Sequence, residues 1–211
     1  MALRSIEEYA TMSAFSIEPV RSSEDLKSAI DIILAYHQWL NEDVSFQGWQ
    51  EEIDGMPGKY APPKGELFLA RDTSGLAIGC LAVRPLTEGM PLHQRPSPNS
   101  HFPYYFVSWS LRQLPDSCEM KRLFILPAGR GLGVGKALVQ HSLEFARGAG
   151  YKNMKLDTLP HKMGAANKLY KDCGFKETEP YYHNPIKGVL YLSCDLNEPD
   201  RKQVSSRQME T

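Results

Sequence analysis

Apolar residues recur at helical spacing in three parts of the chain. The first predicted helix covers residues 23–40 and follows a segment, residues 22–25, that resembles a capping box. A second helix is predicted in the later half of the chain, where Gly148 and Gly150 stop it, and a third is closed by Gly174. The chain is therefore expected to contain at least three helices with one apolar face each.

Short apolar runs between these helices predict β-strands. The expected strands lie at 16–20, 67–71, 76–83, 120–126, 153–158, around Tyr181, and at 189–196. The pair at 67–71 and 76–83 is joined by an Asp-Thr-Ser-Gly turn and predicts a hairpin. Strands that alternate with helices in the second half predict an α/β domain.

Residues 85–117 are rich in proline, and this excludes a regular helix there. A connection of this length inside a compact domain is usually functional or mobile. Within it, the aromatic run at 104–111 fits two interpretations equally: an extra strand, or a cover over a pocket.

Length and charge limit the kinds of partner. A chain of 211 residues fits one domain, which we expect at 15–197, between a flexible leader at 1–14 and a disordered polar tail at 198–211. The 24 basic side chains nearly balance the 25 acidic ones, so no field attracts nucleic acid or a membrane surface. A small-molecule partner is the better expectation.

The four cysteines are widely spaced and have no neighbouring histidine at metal-ligand spacing, so no metal site is predicted and the thiols are expected to be reduced and buried or half-buried. The first residues lack the apolar run of a signal peptide. No stretch approaches the ~20 apolar residues that a membrane span needs. These features predict a cytoplasmic protein.

The segment at 129–136, GRGLGVGK, combines alternating glycines with a predicted helix start. Such a loop lets backbone N–H groups approach an anion such as a pyrophosphate. A nucleotide triphosphatase loop is disfavoured, because Arg130 stands where its first glycine belongs and Ala137 where its Ser or Thr belongs. A dinucleotide-binding GxGxxG pattern fails at its third glycine in each register.

The pattern [Q/R]-x-x-G-x-[G/A] does fit, through Arg130, Gly133 and Gly135. At this point the chain resembles the GNAT superfamily of acetyl-CoA-dependent N-acetyltransferases. CEMKRLFILP resembles the family's central strand, and LYKDCGF the end of a later helix. LDTLP together with PYYHNP is similar to a subgroup of small acetyltransferases, and the whole resemblance covers residues 16–196.

The resemblance implies a mixed central sheet that is splayed between two parallel strands, with helices on both faces. It also implies acetyl-CoA as cosubstrate and no metal. The pantetheine arm is expected along the main chain of Leu123, Phe124 and Ile125. The pyrophosphate is expected against Arg130, Gly131, Leu132, Gly133, Val134, Gly135 and Lys136.

Two catalytic residues are carried over from the resemblance. Glu119 matches the carboxylate that acts as general base in part of the family, although a strand residue paired with Lys121 would look the same. Tyr170 matches the tyrosine that protonates the departing thiolate, since a phenol (pKa ~10) lies near enough to a thiol (pKa ~8.5); the alternative is a core aromatic. The family's asparagine seven residues earlier is replaced by Met163, so that contact is not transferred.

The resemblance places Tyr181, Tyr182 and His183 beside the acceptor pocket. His183 is either an alternative base or a structural residue. Several other aromatic residues are candidates for the acceptor site or for the core: Phe46, Trp49, Tyr60, Tyr104, Tyr105 and Trp109.

The sequence as a whole predicts an N-acetyltransferase in which a small-molecule amine attacks acetyl-CoA directly within a ternary complex. Two alternatives stay open. One is a protein lysine or N-terminal acetyltransferase, and the other is a non-catalytic acyl-CoA sensor. The sequence does not distinguish a monomer from a homodimer.

Overall fold

The computed structural model describes residues 14–43, 46, 48–86 and 116–197. The predicted C-terminal tail, the aromatic run at 104–111 and all but the last residue of the predicted leader lie outside the described residues.

The described residues form one seven-stranded sheet in the order β1-β2-β3-β4-β5-β7-β6. The strands are β1 Phe15–Pro19, β2 Glu66–Asp72, β3 Ala77–Pro85, β4 Ser117–Ile125, β5 Asn153–Thr158, β6 Lys176–Glu177 and β7 Leu190–Asp195. The pair β4–β5 is parallel, and the other neighbouring strands are antiparallel. The predicted mixed α/β sheet is confirmed.

The sheet opens at its parallel pair. Residues 117–119 of β4 pair with residues 153–155 of β5. The pairing ends after Glu119 and Lys155, although both strands continue. On its other side β4 carries a bulge, where the register against β3 shifts and Arg122 adopts a positive φ of 60°. A bulge bends a strand and increases its twist, so it turns β4 away from β5.

Four α-helices of the described residues cover both faces of this sheet. They are α1 Ser23–Leu40, α2 Trp49–Asp54, α3 Val134–Gly148 and α4 Gly164–Asp172. The helices α1 and α2 share one apolar cluster with the sheet, while α3 and α4 share another on the opposite face. None of the helices in the described part of the chain is long and apolar enough to cross a membrane.

Local signals determine the helix ends. The Ser22 hydroxyl accepts a hydrogen bond from the Asp25 backbone at 3.0 Å, and the Asp25 carboxylate accepts one from the Ser22 backbone at 3.1 Å, which confirms the capping box. Gly150 and Gly174 follow α3 and α4 with φ values of 87° and 94°, in the left-handed region that glycine favours.

Two strand predictions need correction. The strand β4 begins at Ser117, three residues earlier than expected, because Ser117 to Glu119 are buried and pair with β5. The strand predicted around Tyr181 is wrong. The short strand β6 lies earlier, at Lys176–Glu177, and Tyr181 lies in irregular structure between Pro180 and Pro185, which cannot donate backbone hydrogen bonds to a ladder.

All four cysteines are reduced thiols, as predicted. Cys80, Cys118 and Cys194 are buried, and Cys173 is half-buried. Burial raises the pKa of the Cys80 and Cys118 thiols to about 12, so both are neutral packing residues at physiological pH.

Candidate active site

The gap between β4 and β5 leads into a cavity of about 450 Å³. One end is bordered by α4, through Ala165, Ala166, Leu169 and Tyr170, and the other end by α1, through Tyr36, Trp39 and Leu40. Since α4 and α1 pack on opposite faces of the sheet, the cavity passes through the sheet itself.

The glycine loop stands at the α3 and α4 side of this cavity. Gly131 and Gly133 have φ values of 80° and 85°, and a Cβ atom added to either would meet nothing within 4 Å. Gly133 is the N-cap of α3 and supplies no side-chain cap, so the first-turn N–H groups of the helix are left to other partners. Open space, free N–H groups and the positive helix end together fit a phosphate.

The residues predicted to hold the coenzyme fall into two groups. Leu123, Phe124, Ile125, Arg130 and Gly135 border the cavity. The others are Gly131 and Gly133 in the open loop, the exposed Leu132, the buried Val134, and Lys136 in the first turn of α3. Coenzyme binding by these residues stays a prediction.

Tyr170 projects from α4 into the cavity wall. Its ring meets Phe175 edge-on, with the ring centroids 5.8 Å apart. Burial raises the pKa of Tyr170, and interactions with Tyr36 and Asp157 raise it further. The phenol is therefore protonated at neutral pH, as a proton donor must be at the start of a reaction.

Glu119 is 1% exposed, and it is not one of the described residues that border the cavity. Its Oε2 accepts a hydrogen bond from Arg84 Nε at 2.8 Å. Its Oε1 accepts a hydrogen bond from the Tyr181 hydroxyl at 2.9 Å and also lies 3.2 Å from Lys121 Nζ. Burial alone would raise the pKa of Glu119, but Lys121 and Arg84 outweigh it and lower the pKa. The carboxylate is thus enclosed by its partners, and the two cations favour its ionised form.

Glu119 belongs to a row of six alternating charges on the sheet face covered by α1 and α2. In spatial order this charged row consists of Arg122, Glu52, Arg84, Glu119, Lys121 and Asp157. The nearest charged atoms of successive members are 2.7, 3.4, 2.7, 3.2 and 2.6 Å apart. Three cations and three carboxylates balance, and this is what allows charges to remain buried.

The two ends of the charged row reach the cavity. Lys121, Arg122 and Asp157 border it. Sequence reasoning did not assign these residues to the site, although two signals were present. One is the set of charges inside the predicted central strand, and the other is the aspartate of the quoted segment LDTLP.

The predicted acceptor residues take different positions. Tyr181 bonds to Glu119, and Tyr182 interacts with Asp157 and accepts a hydrogen bond from Asn184 Nδ2 at 3.0 Å. His183 is exposed. None of the residues 181–183 borders the cavity, but Asn184 does. Acceptor binding by residues 181–183 therefore stays a prediction.

The other aromatic candidates in the described part of the chain lie outside the cavity wall. Tyr60 is 2% exposed in the core. Trp49 stacks on His37 with ring centroids 4.3 Å apart and covers the Arg122 guanidinium at 4.6 Å. Phe46 is exposed. Tyr104, Tyr105 and Trp109 lie outside the described residues.

A sheet splayed at one parallel pair, a glycine loop at a helix start and a cavity through the opening define an acetyltransferase fold. The model of the acetyltransferase (GNAT) family matches residues 33–175, more than half of the chain. The chain belongs to this family, which confirms the resemblance drawn from its motifs.

Proteins similar to this chain agree with this assignment. The chain is 36% identical to an uncharacterized N-acetyltransferase of Schizosaccharomyces pombe, over 88% of this chain and 98% of that one. It is 29% identical to an uncharacterized N-acetyltransferase of Dictyostelium discoideum, over 85% and 99%. An acetyltransferase of the GNAT family from Staphylococcus aureus shares the fold, with a TM-score of 0.62 at 16% identity over 87% of this chain and 100% of that one.

Proposed function

We propose that this protein transfers the acetyl group of acetyl-CoA to the amine of a small molecule by direct attack in a ternary complex. The observation that carries the proposal is the cavity through the sheet. It joins the glycine loop on one face to the charged row on the other, with Tyr170 in its wall. A coenzyme and an acceptor that enter from opposite faces would meet in the gap between β4 and β5.

A small acceptor is favoured by the size of the cavity. Its volume of about 450 Å³ lies within the range of sites that enclose small ligands, roughly 300–1,000 Å³. The acetyl-pantetheine arm would occupy part of that space, and the remainder would suit a compact amine. A protein lysine or N-terminal acceptor is tested by the same experiment as the small amines.

The reaction requires a balanced transfer of protons. The amine nitrogen attacks the thioester carbonyl carbon, so that a C–N bond forms and the C–S bond breaks. The acceptor begins as an ammonium and loses two protons. One proton goes to a base and from there to solvent. The other replaces the proton that Tyr170 gives to the departing thiolate sulfur. Tyr170 is thereby restored.

The role of Glu119 as that base stays a prediction with a defined constraint. Because the carboxylate is enclosed, an amine proton would reach it only through a group that borders both. Lys121 meets this condition, since it lies 3.2 Å from Glu119 and also borders the cavity. The alternative is that Glu119 only holds Arg84 and Lys121 in place.

A screen for thiol release from acetyl-CoA tests the proposed function. We expect purified protein to release coenzyme A slowly by itself and faster when a suitable amine is added. The screen includes small amines together with lysine-containing and N-terminal peptides. Acceleration by peptides alone would establish a protein acceptor, and coenzyme binding without thiol release would establish a sensor.

Replacing Gly133 tests the coenzyme loop. We expect Gly133→Leu to weaken coenzyme A binding roughly 10- to 100-fold, because hydrogen bonds to a charged group are worth about 1.5–3 kcal/mol and the side chain would fill the phosphate space. Gly75→Leu is the matched control, since Gly75 has a similar φ of 86° and equally open surroundings in a hairpin turn away from the cavity. Equal coenzyme affinity in the two variants, measured by calorimetry, would remove the loop from the site.

A further inference from the structure

Of the three carboxylates in the charged row, Asp157 is the one that borders the cavity. Its side chain is 15% exposed, against 2% for Glu119, so an incoming cation can reach it. Asp157 also contributes to the raised pKa of Tyr170, and both side chains border the same cavity. An amine held at Asp157 would thus lie near the residue expected to protonate the leaving thiolate.

Neighbouring side chains hold Asp157 in place. Lys121 Nζ donates to Asp157 Oδ1 at 2.6 Å, and Tyr182, itself fixed by Asn184, interacts with the same carboxylate. A carboxylate offers about four lone-pair positions on its two oxygens, so these partners leave capacity for an N–H group of a ligand. The contact between Asp157 and Tyr182 also gives a physical reason for the joint presence of LDTLP and PYYHNP.

Lys121 has a second effect on an amine at this position. The Asp157 carboxylate by itself would raise the pKa of a bound ammonium, and the positive charge of Lys121 beside it offsets that rise. The neutral amine is the form that attacks a thioester. Asp157 would orient the nitrogen while Lys121 favours its reactive form.

The cationic side chains that border the cavity already have hydrogen-bond or ion-pair partners within the protein. Lys121 has carboxylate partners, and Arg122 bonds to Glu52 beneath the Trp49 ring. Lys162 donates to the Leu40 carbonyl at 2.7 Å and pairs with Glu42. Arg130 donates to the Ile125 carbonyl and belongs to the coenzyme loop. An acceptor carboxylate would therefore have to displace an existing ion pair or hydrogen bond.

Charge also argues against a polyamine. Among the described residues that border the cavity, Asp157 is the sole carboxylate, so a second ammonium would be buried without a partner. The rest of the acceptor side is largely apolar and is formed by Tyr36, Trp39, Leu40, Phe124, Ile186 and Val189.

From this arrangement we propose that Asp157 binds the acceptor nitrogen and that the acceptor is a monoamine on an uncharged, apolar body. The inference rests on the proposed function, because it names the acceptor class of the same site. It assigns Asp157 as a substrate-binding residue and Tyr182 as a residue that positions it.

Three amines test the substrate class: 2-phenylethylamine, phenylalanine, which adds a carboxylate, and spermidine, which adds further amines. We expect 2-phenylethylamine to give the highest kcat/KM. In Asp157→Asn its KM should rise roughly 10- to 100-fold, the scale of a lost charge-assisted hydrogen bond, with a smaller change in kcat. Tyr182→Phe should raise KM less, and coenzyme affinity should be preserved in both variants.

The control is Glu66→Gln, which removes a buried carboxylate paired with Arg21, away from the cavity. Its KM should match the wild type. An unchanged KM in Asp157→Asn, or a preference for phenylalanine or spermidine, would overturn the inference. If Asp157→Asn does not fold, the KM of Tyr182→Phe decides, because this variant keeps the ion pair between Lys121 and Asp157. An unchanged KM in Tyr182→Phe would then overturn the inference.

Absence of amine-dependent thiol release in the wild type would sink the proposed function and still leave the inference open to test. Calorimetry of 2-phenylethylamine with wild type and Asp157→Asn then decides it. Binding that weakens in the variant supports the amine site, and equal binding or none in the wild type overturns it.

Discussion

Tyr170→Phe is expected to lower turnover by about 10²-fold or more, the usual scale for loss of a general acid. The change keeps the ring and its contact with Phe175 but removes the proton that would go to the departing sulfur. Coenzyme affinity should change little, because the cavity keeps its shape. Steady-state thiol release and calorimetry with coenzyme A measure the two quantities separately.

Tyr151→Phe controls for the loss of a buried hydroxyl. The Tyr151 hydroxyl donates to the Lys64 carbonyl at 2.7 Å and does not border the cavity, so turnover should stay at the wild-type level. Equal turnover in Tyr170→Phe and the wild type would reduce Tyr170 to a core aromatic.

Glu119→Gln is expected to lower the free energy of unfolding by about 3–5 kcal/mol, because removing this carboxylate leaves the buried charged row with one uncompensated positive charge. The variant deprives Arg84 and Lys121 of a carboxylate. Urea denaturation at pH 7 measures the loss. Glu66→Gln should cost less, because its partner Arg21 is half exposed and regains water.

The stability difference should depend on pH. Lys121 and Arg84 lower the pKa of Glu119 in the folded state despite its burial. The stabilisation is therefore fully present above the unfolded value of about 4.3 and is lost as the pH falls through the folded value. The stability difference between wild type and Glu119→Gln should therefore begin to shrink below about pH 4.3 and disappear only below the folded value. A gap that persists at low pH would show that the carboxylate's charge is not responsible.

Kinetics of Glu119→Gln separate a base from a structural residue. If Glu119 takes the amine proton, the rate defect should be largest at low pH and should shrink as free amine accumulates. A defect that is independent of pH would assign Glu119 to holding the charged row, with His183 or a water chain left as the base.

The helices and the glycine loop could be predicted from sequence because their signals are local. The capping box at Ser22 and Asp25, the terminal glycines and the apolar spacing all act within a few residues. The GNAT resemblance added the splayed sheet. No local signal marked the start of β4 at Ser117, because pairing with β5 extends it.

The acceptor side of the site depends on the tertiary structure. Arg84 reaches Glu119 from 35 residues away, and Arg122 reaches Glu52 from 70 residues away. Strict strand alternation would send Lys121 and Arg122 to opposite faces. The bulge at Arg122 instead brings both side chains to the face of α1 and α2. The sequence by itself determined the elements and their apolar faces, whereas strand register and the bulge decided which charges meet, since register depends on pairing between distant segments.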